Sequence, residues 1–192
     1  MQACTLSAQT LACRRGERVL FRALELELAA GEACHITGAN GVGKSSLLRI
    51  LAGLLRPFAG SVVSVGTIGL VDETHALDPH LPLGRALGFW SALDGAEAGV
   101  TDRLGLSDLL DVPVRYLSTG QKKRAALARL IGQAAPIWLL DEPLNGLDRA
   151  AMALAQELVT EHLAAGGLAV IASHQPFALN KIQHIDLEEF NP

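Results

Sequence analysis

Residues 38–45 constrain the fold of this chain more than any other part of its sequence. They read Gly-Ala-Asn-Gly-Val-Gly-Lys-Ser, which fits the phosphate-binding loop pattern G-x-x-x-x-G-K-[ST] without a gap. A short apolar stretch, Ala33–Thr37, comes directly before the loop, and residues 46–55 repeat leucines at helical spacing directly after it. This order predicts a buried strand, a loop that binds phosphate and a helix.

The residue types in this loop suit the binding of a nucleoside triphosphate. Its glycines allow the backbone to curl so that N–H groups point inward, and the N-terminus of the following helix adds partial positive charge. We expect Lys44 to reach the β- and γ-phosphates and the Ser45 hydroxyl to bind Mg²⁺. The predicted nucleotide-binding residues are Gly38, Ala39, Asn40, Gly41, Val42, Gly43, Lys44, Ser45 and Ser46.

The composition favours one cytosolic α/β domain that covers residues 1–192. A net charge of −4 and a pI of about 5.8 argue against a protein that binds nucleic acid. No apolar run approaches the roughly 18 residues that span a bilayer, and the first residues lack the pattern of a secretory signal. Three cysteines without C-x-x-C spacing favour a reducing compartment, burial of all three and no zinc site.

The hydrophobic pattern predicts a mixed α/β fold. Apolar strands at 33–37, 137–140 and 168–172 alternate with helical patterns, which is typical of a parallel sheet with helices on both faces. Leucine and glutamate alternate strictly at 24–28, which indicates a half-exposed antiparallel strand beside a first strand over 3–14.

The remaining segments predict smaller elements around that core. Helical patterns interrupted by glycines over about 83–134 indicate a small helical subdomain inserted into the core. Two short strands are expected around Gly66, and a final edge strand over 182–187. In the helix predicted over 46–55, we expect Leu47, Leu51 and Leu54 to face inward, with Leu48 and Leu55 beside them.

Two carboxylates follow the strand at 137–140. Phosphoryl transfer needs one carboxylate near Mg²⁺ and one group that orients or deprotonates the attacking water. Asp141 suits the first role and Glu142 the second. An apolar strand followed by Asp-Glu-Pro is also a common turn, but its place downstream of a phosphate-binding loop favours the functional interpretation.

A second anion site is predicted where the helix after residue 120 begins. Leu117-Ser118-Thr119-Gly120-Gln121 places free backbone N–H groups and the Ser118 hydroxyl at a helix N-terminus. The alternative is that Ser118 only caps the helix, which is the better interpretation of this motif in isolation.

Together these motifs resemble the ATP-binding cassette (ABC) ATPases. The order is phosphate loop, Leu-Ser-x-Gly-Gln, a strand ending in Asp-Glu, then Gly146-Leu147-Asp148 and Ser173-His174, and it covers essentially the whole chain. The resemblance implies an ABC-type P-loop NTPase fold: a mixed-sheet core with helices on both faces, an N-terminal antiparallel part and a small helical subdomain. It also implies ATP and Mg²⁺ as cofactors.

The resemblance assigns further roles by position. Ser118, Thr119, Gly120 and Gln121 form the signature motif that contacts the γ-phosphate bound to a second copy of the chain. Asp148 belongs to the loop that contacts the partner, and His174 is the switch histidine at the γ-phosphate. Such a protein works as a head-to-tail dimer with two ATP molecules between the copies. A surface histidine after a strand is the alternative for His174.

Two positions depart from the family pattern. Glu73 aligns with the loop glutamine that binds Mg²⁺ in relatives, unless the alignment is off by a residue and Asp72 or Thr74 takes that place. Arg14 aligns near the aromatic residue that stacks on adenine, and a guanidinium plane can also stack on a base. Phe21 does not align there and is expected in the core.

Within the family, the chain is most similar to the short ATPase subunits of the haem exporters used in cytochrome c maturation, on stretches such as 121–130, 137–143 and 173–176. This likeness implies a peripheral subunit on the cytoplasmic face of the bacterial inner membrane, with integral membrane partners. No direct haem site is expected, since C-x-x-C-H is absent. Three alternatives remain: an ABC exporter with lipid, drug or metal cargo, a non-transport ABC ATPase, and an ATP-binding module without turnover.

Overall fold

The computed structural model describes residues 4–73, 76–94, 99–179 and 182–191. Within these residues the chain forms eight strands and five α-helices. The strands are β1 (Thr5–Arg15), β2 (Arg18–Ala29), β3 (Ala33–Thr37), β4 (Ala59–Val65), β5 (Ile68–Val71), β6 (Ile137–Asp141), β7 (Leu168–Ala172) and β8 (Gln183–Asp186). The helices are α1 (Lys44–Leu51), α2 (Leu83–Asp94), α3 (Val100–Arg103), α4 (Thr119–Gly132) and α5 (Arg149–Ala164).

A five-stranded parallel sheet forms the centre, with the strand order β5-β6-β7-β3-β8. Strands β6 and β7 are buried along their whole length, as their uninterrupted apolar sequences predict for a sheet covered on both faces. The predicted fold class is therefore confirmed. Because all neighbouring strands run parallel, their carboxyl ends meet at one edge of the sheet. The phosphate-binding loop after β3, the carboxylates that end β6 and the Ser-His pair after β7 come together there.

A separate three-stranded antiparallel sheet has the order β2-β1-β4. In β2 the leucines at 24, 26 and 28 are buried and the glutamates between them are exposed, which confirms the predicted half-exposed strand. The two strands predicted around Gly66 also exist, but they lie in different sheets. Gly66 has a φ of 109°, and a Cβ there would lie 2.9 Å from the Pro136 side chain. A glycine is needed where the chain crosses from β4 to β5.

Two hydrophobic clusters cover the two faces of the parallel sheet. One joins β3 and α1 to the antiparallel sheet, and Phe21 lies in it fully buried, as predicted. The other joins the sheet to α2, α4 and α5. All three cysteines are buried and free, in agreement with the expectation of small core residues. The boundaries of the helical subdomain, about 83 and 134, stay a prediction.

The extent predicted for the first helix was wrong. Helix α1 begins at Lys44 and ends at Leu51, four residues before the predicted end at 55. Gly53 takes a φ of 72°, which a continuing helix does not permit. Leu54 therefore points away from the core and is 68% exposed. No helix in the described part of the chain is both long and apolar enough to cross a membrane.

Candidate nucleotide site

The phosphate-binding loop depends on glycine at two tight positions. Gly38 and Gly43 have φ values of 130° and 121°, in the region that other residues rarely adopt. A Cβ on Gly43 would lie 3.2 Å from the Phe21 ring, and one on Gly38 would lie 3.0 Å from Val42. The loop therefore lies directly on the core, and Lys44 begins α1 with only 7% of its surface exposed. Ser46 is also buried, towards Cys13 of β1.

Lys44 connects the loop with the residues that follow β6 and β7. Its Nζ lies 2.7 Å from the Gly38 carbonyl oxygen and 2.9 Å from Nε2 of His174. The same Nε2 is 2.7 Å from Oδ1 of Asn40 and 3.6 Å from a carboxylate oxygen of Glu142. Since Nε2 can accept from Lys44 or donate to Asn40 but cannot do both, the protonation of His174 decides which contact is made. The structure thus brings together five of the predicted site residues.

Asp141 and Glu142 lie in different environments although they are adjacent. Asp141 is buried, and this burial raises the pKa of its carboxyl group, while a hydrogen-bonding interaction with the Ser45 hydroxyl acts to lower the pKa. Glu142 takes a φ of 45°, an uncommon left-handed conformation for a residue with a side chain. Its N–H donates to the Ala172 carbonyl at 2.8 Å, which fixes this turn at the end of β7. Its Oε2 is buried without a hydrogen-bond partner.

The oxygen atoms near Asp141 fit a Mg²⁺ ion that is bound together with a nucleotide. Mg²⁺ prefers oxygen ligands and is usually held by one or two protein groups plus substrate phosphates. The Ser45 hydroxyl interacts with the Asp141 carboxyl, and the orphaned Oε2 of Glu142 is a further acceptor close by. Among the described residues there is no cluster of three His, Cys, Asp or Glu side chains that could hold a metal alone. The phosphates would complete the ligand set.

Glu73 is exposed, and its negative charge acts on this site. Together with Glu142 it raises the pKa of Asp141, after the larger effect of burial. Its neighbour Asp72 contacts Arg49 of α1 at 3.1 Å. The assignment of the Mg²⁺-loop position to Glu73 stays a prediction. Thr74 lies outside the described residues.

The signature motif forms a capping box at the start of α4. The Gln121 N–H lies 3.2 Å from the Ser118 hydroxyl oxygen, and the Ser118 N–H donates to Oε1 of Gln121 at 2.8 Å. Ser118 therefore caps α4, as the alternative interpretation predicted. Its predicted contact with a phosphate stays a prediction. Thr119 and Gly120 form the first turn of the helix.

The signature motif packs directly on the loop that precedes α5. A Cβ on Gly120 would lie 2.5 Å from the Gly146 carbonyl oxygen, closer than any real side chain comes. Asp148 ends this loop as the N-cap of α5, since its carboxylate accepts from the Ala151 N–H at 2.8 Å. The two motifs assigned to a partner copy thus touch each other within one chain. No hydrogen bond of the described residues joins either of them to the phosphate-binding loop.

Arg14 lies on β1 with its side chain exposed. Its guanidinium carbon is 4.7 Å from the centre of the Phe58 ring, and Phe58 is itself 55% exposed. One face of the guanidinium plane is therefore covered by an aromatic ring. Stacking of Arg14 on adenine stays a prediction.

The sequence interpretation missed the burial of Lys123. This lysine lies on α4 with 4% of its surface exposed, and its Nζ donates to the Asp141 carbonyl at 3.3 Å. Burial lowers its pKa, and the fields of four carboxylates, Asp141 first, act to raise it. A signal was present, because Leu127 and Leu130 follow Lys123 at helical spacing and mark the inward face of α4.

A phosphate-binding loop between β3 and α1, with two carboxylates at the end of β6, the next parallel strand but one, defines a P-loop nucleoside triphosphatase. Comparison with known proteins identifies the family within this class of nucleoside triphosphatases. The chain belongs to the ABC transporter family, whose model matches residues 21–145.

Similar curated proteins cover the chain from end to end. A cytochrome c biogenesis ATP-binding export protein of Novosphingobium aromaticivorans is 60% identical over the full length of both chains. A protein of the same name from Zymomonas mobilis is 49% identical over 96% of this chain and 85% of its own. Among solved structures, an inward-facing ABC transporter assigned to the metal-chelate type is similar, with a TM-score of 0.75 and 25% identity, over 90% of this chain and 74% of its own.

Proposed function

We propose that this chain is the ATP-hydrolysing subunit of an ABC exporter that serves cytochrome c biogenesis through haem transport. The observation that carries the proposal is the 60% identity, over the whole of both chains, to an export protein of cytochrome c biogenesis. The side chains gathered at the edge of the parallel sheet support ATP hydrolysis as its chemistry.

In the proposed reaction the chain's own residues bind the triphosphate and activate water. Lys44 and the N–H groups of residues 38–45 hold the β- and γ-phosphates. Ser45 and Asp141 hold Mg²⁺, which neutralises phosphate charge when bound. Glu142 orients the attacking water and accepts its proton. Its carboxylate lies beside His174, which contacts Lys44, and one of its oxygens has no hydrogen-bond partner and is available to the water.

His174 connects these groups. Its Nε2 lies 2.9 Å from the phosphate-binding Lys44 and 3.6 Å from Glu142, so a change at the γ-phosphate reaches the base through one imidazole ring. Glu73 contributes a further oxygen for Mg²⁺ from the loop after β5. Arg14 is the proposed contact to the adenine base.

Two copies of the chain complete each site. The signature residues 118–121 and Asp148 make no hydrogen bond to the phosphate-binding loop of their own chain. A head-to-tail dimer would place them on the γ-phosphate of the partner's ATP. The proposed assembly also contains integral membrane subunits, with this chain peripheral on the cytoplasmic face of the inner membrane.

The test is deletion of the gene in its host, followed by haem staining of denatured membrane proteins. Loss of covalent haem from the c-type cytochromes is expected, with recovery by the wild-type gene and no recovery by Lys44→Ala produced at equal level. Unchanged covalent haem would refute the cargo and leave an ABC exporter of another substrate. Affinity purification from host membranes then identifies the integral subunits by mass spectrometry.

A further inference from the structure

Lys123 carries a positive charge, but its side chain is buried. Its side chain is enclosed between α4 and the end of β6, whereas the flanking basic residues turn outward along the helix. Lys122 reaches the Arg115 carbonyl at 3.3 Å, and Arg124 reaches the Leu104 carbonyl at 2.8 Å. Lysine is almost never fully buried unless it is paired, because removing an ammonium from water is costly.

The surroundings of Lys123 account for its burial. Strands β5 and β6 are paired with Val71 opposite Leu140, so the carboxylates that follow them, Asp72 and Glu73 after β5 and Asp141 and Glu142 after Leu140, lie at the same edge of the sheet. The charges of all four act on Lys123. Arg49 also contacts Asp72, at 3.1 Å. The direct contact made by Nζ, 3.3 Å to the Asp141 carbonyl oxygen, holds the ammonium on the backbone at the end of β6, next to the predicted Mg²⁺ ligand Asp141 and the predicted base Glu142.

The negative charge of Glu73 suggests a role for the buried positive charge of Lys123. The carboxylate of Glu73 adds one negative charge near Asp141, where a triphosphate is to bind, and like charges at close range repel. A fixed positive charge inside the cluster cancels that addition. Lys123 supplies one, from the helix that begins with the signature motif.

We propose that Lys123 is a positioning residue whose buried charge compensates Glu73, so that the carboxylate cluster can bind a nucleoside triphosphate. The inference rests on the proposed ATPase function and deepens it, because it concerns the charge balance of the same site. It also places the compensating charge five residues after Ser118, on the rigid α4. Any shift of the signature helix therefore moves a charge at the carboxylates of its own chain.

The experiment is a double-mutant cycle between Lys123 and Glu73, read out as the dissociation constant of MgATP by calorimetry. Lys123→Met removes the charge and keeps the length of the side chain. We expect it to weaken MgATP binding about 10-fold, because one uncompensated negative charge then faces the triphosphate. Lys123→Met combined with Glu73→Gln restores the net charge and should bind within about 3-fold of wild type. Lys122→Met is the matched control on the half-buried neighbour and should bind as wild type does.

A second variant separates charge from hydrogen bonding. Lys123→Gln carries no charge but keeps an N–H donor, one bond shorter than the lysine side chain. Binding as weak as that of Lys123→Met supports compensation, while binding equal to wild type would overturn it in favour of the hydrogen bond. Thermal unfolding of each nucleotide-free variant reports on the fold. A Lys123→Met protein that is unfolded, and that Glu73→Gln does not rescue, would also overturn the proposal, since packing would then be the role of Lys123.

The two proposals fail differently in this experiment. Wild-type protein that binds no MgATP would refute the nucleotide site itself. Wild-type binding with no loss in Lys123→Met, or a loss that Glu73→Gln fails to restore, refutes only the charge compensation.

Discussion

Replacing Glu142 with glutamine should abolish turnover and stabilise the fold at the same time. The Glu142 side chain is 15% exposed, and one of its carboxylate oxygens is buried without a partner, next to the carboxylate of Asp141. A buried acceptor left unsatisfied costs about 1–3 kcal/mol. The amide has the same shape, carries no charge and can donate to nearby acceptors. We therefore expect the free energy of unfolding to rise by about 1 kcal/mol, which for a chain of this size raises Tm by about 2–4 °C.

The expected loss of activity is far larger than this gain in stability. Without a general base, the rate of phosphate release should fall about 10²–10⁴-fold. Binding should persist, because the phosphate-binding loop is unchanged, so the molecular mass should double in ATP and return to the monomer value when ATP is removed. The assays are thermal unfolding without nucleotide, phosphate release and light scattering at tens of micromolar protein. Glu17→Gln, on an exposed turn, is the matched control.

Two results would refute this reasoning. A Glu142→Gln variant with wild-type turnover excludes Glu142 as the base. A variant that unfolds at a lower temperature than wild type contradicts the view that the charged side chain is poorly satisfied in the folded state.

Three further predictions concern other parts of the site and the core. Lys44→Ala should reduce ATP turnover about 10²–10³-fold with an unchanged circular dichroism spectrum. Near-normal turnover would refute the assignment of residues 38–45 as the phosphate-binding loop. Glu73→Gln should equal or exceed wild type in steady-state ATPase rate, whereas a fall in rate would show that the charge itself is needed. Stability should fall as the pH drops below 6.5, because burial lowers the pKa of His35 and His162 from that value. The unfolded chain then binds protons that the folded chain does not, and a thermal unfolding series from about pH 7.5 to 5 measures the loss, which His162→Gln should reduce.

Much of the fold follows from short-range patterns in the sequence. Apolar runs without polar residues specified the buried parallel strands, and the alternation at 24–28 specified the half-exposed one. The phosphate-binding loop was found because its glycines have a fixed spacing. The end of α1 was missed, because Leu54 continues the helical period while Gly53, with its positive φ, stops the helix.

The charges in the site were harder to predict. The burial of Lys123 depends on how α4 docks against β6, and its neighbours in sequence are exposed or half-exposed cations. The contact between His174 and Lys44 joins residues 130 positions apart, and only the order of the parallel strands brings them together. Long-range pairs of this kind follow from topology and not from local propensity.

The packing of Gly120 on Gly146 restricts how this sequence can diverge. A methyl group on Gly120 would overlap the Gly146 carbonyl, and one on Gly146 would press on Thr119 at 3.1 Å. Neither position accepts a larger residue readily, because the obstacle at Gly120 is backbone and Gly146 has a φ of 78°, which strains other residues. A lineage that changes one of them must first separate α4 from the loop before α5. Homologues should therefore keep both glycines or lose them jointly with a repositioned loop.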